Sequence, residues 1–138
     1  MDKLTIYIDG GSRGNPGPAA AGVVIQDSTG QTIFAGGFYL GRATNNVAEY
    51  SGLLKGLHHA NELGASDLEV VSDSELLVKQ MRGEYRVKNE GLKALFGQAR
   101  ALLTPFKSVR FRHVRRELNK QADKLVNQAL DGSRDVRE

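Results

Sequence analysis

The apolar residues of this chain first change their period near Val47, and that change constrains the fold more than any other feature. Before it they alternate. Leu4, Ile6 and Ile8, then the runs Ala21 to Gln26 and Thr32 to Leu40, read as three strands. The first runs into a turn at Asp9-Gly10-Gly11, Ser12 to Pro18 is a glycine- and proline-rich loop, and Asp27-Ser28-Thr29-Gly30 joins the other two in an antiparallel meander. Gly36-Gly37 predicts a bulge in the third strand. After Val47 the spacing becomes helical: Tyr50, Leu53, Leu54, Leu57, Ala60 and Leu63 mark one face of a helix that Gly64 ends. Leu68 to Ser72 is then a short buried strand, followed by helices marked by Leu76, Leu77 and Met81 and by Leu92 to Leu103, the latter stopped at Thr104-Pro105. Val109, Phe111 and His113 alternate as a last strand, in which His113 is read as a packed residue, and Leu118 to Leu130 forms the closing helix. The order β-β-β-α-β-α-α-β-α predicts an α/β fold: a five-stranded mixed sheet, three strands antiparallel and the rest parallel, with helices on both faces.

A length of 138 residues, 40% of them hydrophobic, suits one domain, placed over residues 1–131, with 132–138 read as a disordered tail. Cysteine is absent, so thiolate metal sites, cysteine nucleophiles and disulfides are excluded, and any metal must take oxygen or histidine ligands. The alternating start MDKLTIYID carries no long apolar run, which predicts neither a signal peptide nor a membrane span, hence a cytoplasmic protein. The net charge is +3, but residues 1–69 hold 4 Lys/Arg against 7 Asp/Glu and residues 70–138 hold 15 against 9. The basic half could face a polyanion, through Arg110, Arg112, Arg115, Arg116, Lys120 and Lys124, or simply be a solvated face.

Asp9, Glu49, Asp73 and Asp123 are each expected where a strand or helix meets a turn. Each has a bland explanation: a turn at Asp9-Gly10, a capping box from Asn46 to Glu49, a helix cap at Asp73, a solvent-facing acid at Asp123. Asp9 and Asp73 also fall at strand ends, where open α/β sheets gather ligands, and a divalent cation is the usual reason for bringing carboxylates together.

The sequence around the four acids decides between these readings. Ile8-Asp9-Gly10-Gly11-Ser12 with Gly14-Asn15-Pro16-Gly17, Thr44-Asn45-Asn46 leading to Glu49, Ser72-Asp73-Ser74, and Asn119-Lys120-Gln121-Ala122-Asp123 together resemble type 1 ribonuclease H, in the family's order, from about Lys3 to Leu130. The resemblance implies a ribonuclease H-like fold and an endonuclease that cuts the RNA strand of RNA·DNA hybrids, leaving 5′-phosphate and 3′-hydroxyl ends. It implies Asp9, Glu49, Asp73 and Asp123 as the carboxylates holding two Mg²⁺ ions, Asp9 shared between them, with Mn²⁺ as a possible substitute. Two such ions, about 3.5–4 Å apart, activate water and stabilise both attacking and leaving oxygens, so no covalent nucleophile is needed. It further implies Asn15, Asn45 and Asn46 as readers of the hybrid's minor groove, with the 2′-hydroxyl as the mark of RNA, and Arg42, Thr44 and Asn89 as a DNA-phosphate pocket. Asn46 serves equally well as a helix cap. A monomer with no obligatory protein partner suffices.

Two departures from the better-known bacterial pattern stand out. The histidine-bearing loop before the last acid is replaced by His113-Val114-Arg115-Arg116-Glu117-Leu118-Asn119, so Arg116 or Glu117 is expected to assist turnover. The Trp- and Lys-rich basic protrusion is absent: Met81 to Leu92 is short and there is no Trp. Binding should then depend on the phosphate pocket and the basic C-terminal half, and fall steeply with salt. The alternatives are a catalytically silent nucleic-acid-binding paralogue and another nuclease of the same fold; all four acids argue against the first, and the Thr44-Asn45-Asn46 and Arg42/Thr44/Asn89 sets against the second.

Overall fold

The computed structural model describes residues 2–138. The meander is β1 (Lys3–Ser12), β2 (Gly17–Gln26) and β3 (Thr32–Ala43), followed by α1 (Asn45–Glu62), β4 (Asp67–Ser72), α2 (Glu75–Met81), α3 (Glu90–Leu102), β5 (Ser108–His113), α4 (Lys120–Gly132) and β6 (Val136–Arg137). The sheet order is β5-β4-β1-β2-β3-β6. β1, β2 and β3 pair antiparallel, whereas β4 is parallel to β1 and β5 is parallel to β4.

The mixed sheet therefore has six strands rather than five. The sixth comes from the segment expected to be a disordered tail: Val136 and Arg137 pair with Gly37 and Gly36, the Tyr39 N–H donates to the Asp135 carboxylate at 2.8 Å, and the Glu138 N–H donates to the Ala35 carbonyl at 3.1 Å. Ser-Arg-Asp-Val-Arg-Glu has no strand periodicity of its own. The free hydrogen-bonding groups of edge strand β3 recruit it, a cause that no local pattern encodes.

Leu4, Ile6 and Ile8 of β1, with Val23 and Ile25 of β2, pack against Tyr50, Leu53 and Leu57 of α1, and Leu77, Val78, Leu92 and Ala99 extend this core under α2 and α3. On the opposite face Ala122, Leu125, Val126 and Ala129 of α4 cover Ala20, Val24 and Ala35. Helices thus cover both faces, as the alternation in the strands requires.

Two glycines set how closely the helices approach. A side chain at Gly10 would overlap the backbone of Ala48 and Glu49 in α1, and one at Gly22 would overlap the Ala122 carbonyl in α4. Gly36-Gly37 proves not to be a bulge; the ladder shifts register at Ala19/Ala20 and at Ile25/Gln26 instead. Gly37 lies under the Leu125 carbonyl of α4, so its small size serves packing.

Local chemistry explains the helix ends. Thr44, not Asn46, caps α1 by accepting the Val47 N–H at 3.2 Å, and Ser74, not Asp73, caps α2 by accepting the Leu77 N–H at 3.2 Å. His113 is exposed rather than packed, although Phe111 on the same side of β5 is buried. No helix among the described residues is long and apolar enough to cross a membrane.

Candidate active site

β1 and β4 pair in parallel from Lys3 opposite Asp67 to Ile8 opposite Ser72. The next residue on each chain is an acid. Asp9 and Asp73 are therefore carried side by side past the last paired residues, where ligands gather in such sheets. Asp9 does not stand at a turn, because β1 continues to Ser12; it is held inside the sheet opposite Gly22 of β2. That pairing matters, since α4 passes close over Gly22, and it brings down Asp123 in the first turn of α4. Gly10, beside Asp9, lets α1 deliver Glu49 in the same way. Asp9, Glu49, Asp73 and Asp123 consequently line one cavity of about 470 Å³, together with Ser12, Arg13, Asn45, Arg116 and Asn127.

This arrangement is electrostatically costly. Asp9 is only 8% exposed, and its carboxyl is pushed up to about 8, chiefly by burial, then by the charges of Asp73 and Asp123, against a downward pull from the Gly10 N–H. Glu49 is raised to about 7, first by burial and then by Asp73, with the Ser74 hydroxyl opposing. Asp73 is raised by burial, while Asn119 and Arg116 act to lower it. The nearest relief from protein charge is Arg116, whose Nη2 lies 3.5 Å from Asp123 Oδ1. Asp9 has no ion-pair partner among the described residues.

Among those residues no three acidic or histidine side chains are already gathered around a common point as ligands of one metal ion would be. The donor set nonetheless fits a hard divalent cation: four carboxylates on four elements, with those of Asp9 and Glu49 raised chiefly by burial.

Asn119 is a residue that sequence reasoning left out of the site, although it opens the Asn119-to-Asp123 motif. It is 2% exposed and its Nδ2 donates to the Ile8 carbonyl at 2.7 Å, tying the start of α4 to β1 one residue before Asp9. The same side chain lowers Asp73. Its Oδ1 is buried without a partner. The motif quoted from Asn119 to Asp123 was the available signal, but it singled out only its acid.

The residues expected to contact substrate divide. Asn45 lines the cavity, where its Oδ1 accepts the Ser12 N–H at 2.8 Å and its own N–H donates to Asn15 Oδ1 at 3.1 Å, so Asn15, Asn45 and the β1–β2 loop form one unit. Asn46 is exposed at the start of α1. Arg42 is exposed at the end of β3, while Thr44 and Asn89 use their side-chain oxygens to cap α1 and α3. Arg116 lines the cavity; Glu117 lines a separate hollow beside Tyr7 and Gln26 and pairs with Arg115 at 3.8 Å. His113, read as a core residue, lies close enough to Asp73 to lower its carboxyl.

The sequence and the fold both have relatives. The family described as Reverse transcriptase-like matches residues 7–129. The Bifunctional protein Rv2228c of Mycobacterium tuberculosis is 46% identical over 95% of this chain, which spans only 36% of that protein's length. The crystal structure of RNase H1 from the archaeon Halobacterium salinarum superposes with a TM-score of 0.92 at 43% identity, covering 94% of this chain and 98% of that one. LC11-RNase H1, solved in complex with an RNA/DNA hybrid, superposes with a TM-score of 0.90 at 43% identity over 94% of this chain and 98% of its own.

Proposed function

As this chain belongs to the type 1 ribonuclease H family, we propose that it is an endonuclease hydrolysing the RNA strand of RNA·DNA hybrids, leaving 5′-phosphate and 3′-hydroxyl ends, with Mg²⁺ as cofactor and Mn²⁺ as a possible substitute. The observation that carries the reading is the convergence of Asp9, Glu49, Asp73 and Asp123 on one cavity, where burial raises the carboxyls of Asp9, Glu49 and Asp73. The hybrid bound by LC11-RNase H1 supports the choice of substrate.

The four carboxylates would hold two divalent cations, with Asp9 shared. Bound there, the cations supply Lewis-acid activation of water and charge neutralisation at the scissile phosphate. The remaining steps belong to the chain. Asn119 fixes the first turn of α4 against β1 and so orients Asp123 relative to Asp9. The Asn15–Asn45–Ser12 unit holds amide groups at the cavity rim, where donors and acceptors can distinguish a 2′-hydroxyl from a hydrogen. Arg42, Thr44 and Asn89 hold a phosphate of the DNA strand, and Asn46 contacts the minor groove beside Asn45. Arg116, already beside Asp123, is better placed than Glu117 to assist departure of the cleaved strand.

The test is a panel of labelled RNA·DNA hybrid, double-stranded RNA, double-stranded DNA and a four-way junction, each with Mg²⁺, Mn²⁺ or chelator. Cutting confined to the RNA strand of the hybrid and abolished by chelator is expected. Binding of the hybrid with no cutting under any metal would replace the proposal with a silent nucleic-acid-binding paralogue.

A further inference from the structure

Two guanidinium groups line the acidic cavity, and they are held differently. Arg116 is paired with Asp123, one of the four acids. Arg13 is paired outside that set: its Nη2 lies 2.7 Å from Asp131 Oδ1 and 3.4 Å from Asn127 Oδ1, both on α4. The geometry points to Arg13 as a phosphate-binding residue for the hybrid, kept over the cavity wall by Asp131 until a backbone phosphate takes the carboxylate's place. This inference rests on the hybrid reading of the site and adds a contact separate from Arg42, Thr44 and Asn89, none of which lines the cavity.

Three observations carry it. The first is that the backbone beneath Arg13 is fixed, while its side chain is held only by exposed polar groups of α4. The Arg13 N–H donates to the Pro18 carbonyl at 2.8 Å, and Ser12 is tied to Asn45, so the guanidinium extends from a firm base at the edge of the acid cluster. The second is that the ion pair is weak in water: the Arg13 and Asp131 side chains are 49% and 69% exposed, and such pairs contribute little to stability. A phosphodiester offers the same planar fork the same two-oxygen acceptor, so exchange costs little. The third is the position of Asp131. It lies in the last turn of α4, which contains no basic residue, and a negative charge there opposes the helix dipole. Helix stability does not account for an acid at this position, whereas holding Arg13 does.

The electrostatics give the device a reason. Four carboxylates repel an approaching polyanion, and a cation on the rim whose partner lies outside the cluster can offset that repulsion without disturbing the acids themselves. Neutralising Asp131 should release Arg13 early and tighten binding, whereas removing Arg13 should weaken it. A purely structural ion pair would make both changes act in the same direction.

The experiment is steady-state cleavage of a labelled RNA·DNA hybrid by the full chain across a series of salt concentrations, for wild type, Arg13→Ala, Arg13→Lys, Asp131→Asn and the Arg13→Ala/Asp131→Asn double variant. Arg13→Ala is expected to raise KM about 5–10-fold with kcat within about twofold, and to make the slope of log(kcat/KM) against log salt shallower by about 0.9, the value for one lost phosphate contact. Arg13→Lys should retain most of that slope. Asp131→Asn should lower KM about 2–3-fold, and this gain should vanish when Arg13 is Ala. An equal gain in both backgrounds would reduce Asp131 to bulk charge, and an unchanged KM and slope in Arg13→Ala would overturn the inference, in either case with the wild type still cutting. A wild type that does not cut the hybrid would instead overturn the proposed function.

Discussion

The carboxylate cluster and the rim expected to grip substrate are built on opposite terms. The four acids gain nothing for the fold: Asp9 is buried and Glu49 half-buried, both at raised pKa, and the positions that bring them together, Gly10 and Gly22, lack side chains to permit close helix approach. Thr44 and Asn89 have a second occupation, because their side-chain oxygens accept from the first turns of α1 and α3, while the Thr44 hydroxyl hydrogen and the Asn89 Nδ2 amide are the groups that could donate to a phosphate. Chemistry at the centre is therefore opposed to stability, while recognition at the rim is merged with it. Substitutions should move activity and stability apart in the first region, and in the second together wherever they remove the capping oxygen.

The strongest way to break this contrast is Asp9→Asn. It is expected to lower hybrid cleavage by about 10³-fold or more, the scale of losing a preorganised electrostatic group, while raising the melting temperature of the metal-free protein at pH 7–8. A variant that loses activity and stability together would show Asp9 to be a structural residue. Next in size, Gly22→Ala should cost about 3 kcal/mol in denaturant unfolding, because the added methyl overlaps the Ala122 carbonyl and α4 must shift. Its activity should fall further than its stability predicts, since Asp123 moves with the helix.

A third test reads pH. The native carboxyl of Asp9 titrates at about 8 against an ordinary 3.8, and Glu49 at about 7 against 4.5, so the folded state holds these protons more tightly than the unfolded one. Their stabilisation is complete below about pH 4 and is lost as pH rises toward 8. Unfolding in chelator should accordingly require less free energy at pH 8 than near pH 5, and saturating Mg²⁺ should restore most of the difference at pH 8. A metal-free protein whose stability increases from pH 5 to 8 would refute the cost assigned to the cluster. The smallest effect sharpens the rim: Asn89→Ala should cost about 1 kcal/mol by removing the α3 cap and also weaken hybrid binding, whereas Asn89→Asp keeps the cap, leaves stability nearly unchanged and weakens binding alone. Equal binding by both variants and wild type would leave Asn89 as a cap and nothing more.

How much of this was readable in advance depended on whether the cause was local. The change of period at Val47, the Gly64 stop and the Thr104-Pro105 stop are consequences of neighbouring residues, and the elements they delimit appear in the expected order. The four acids could be named because their surrounding motifs travel with them. His113 was misjudged because alternation reports which face of a strand a residue occupies, not whether a helix covers that end of it; Phe111 is buried and His113 is not. Glu117 and Arg116 are adjacent in sequence, yet the short turn Arg116–Leu118 sends them to different cavities.

By itself the sequence determined the kinds of element, their order and the residue types available for chemistry, because periodicity, caps and the absence of cysteine act within a few residues or across the whole composition. Only the tertiary structure decided that Asp9 and Asp73 leave the β1–β4 ladder at the same level, that Gly22 opposite Asp9 admits the helix carrying Asp123, that Asn119 ties that helix to β1, and that an unpatterned C-terminus completes the sheet. These are register and close-approach facts. They depend on which backbone lies beside which, and burial converts that proximity into the raised carboxyls that make the cavity a candidate cation site.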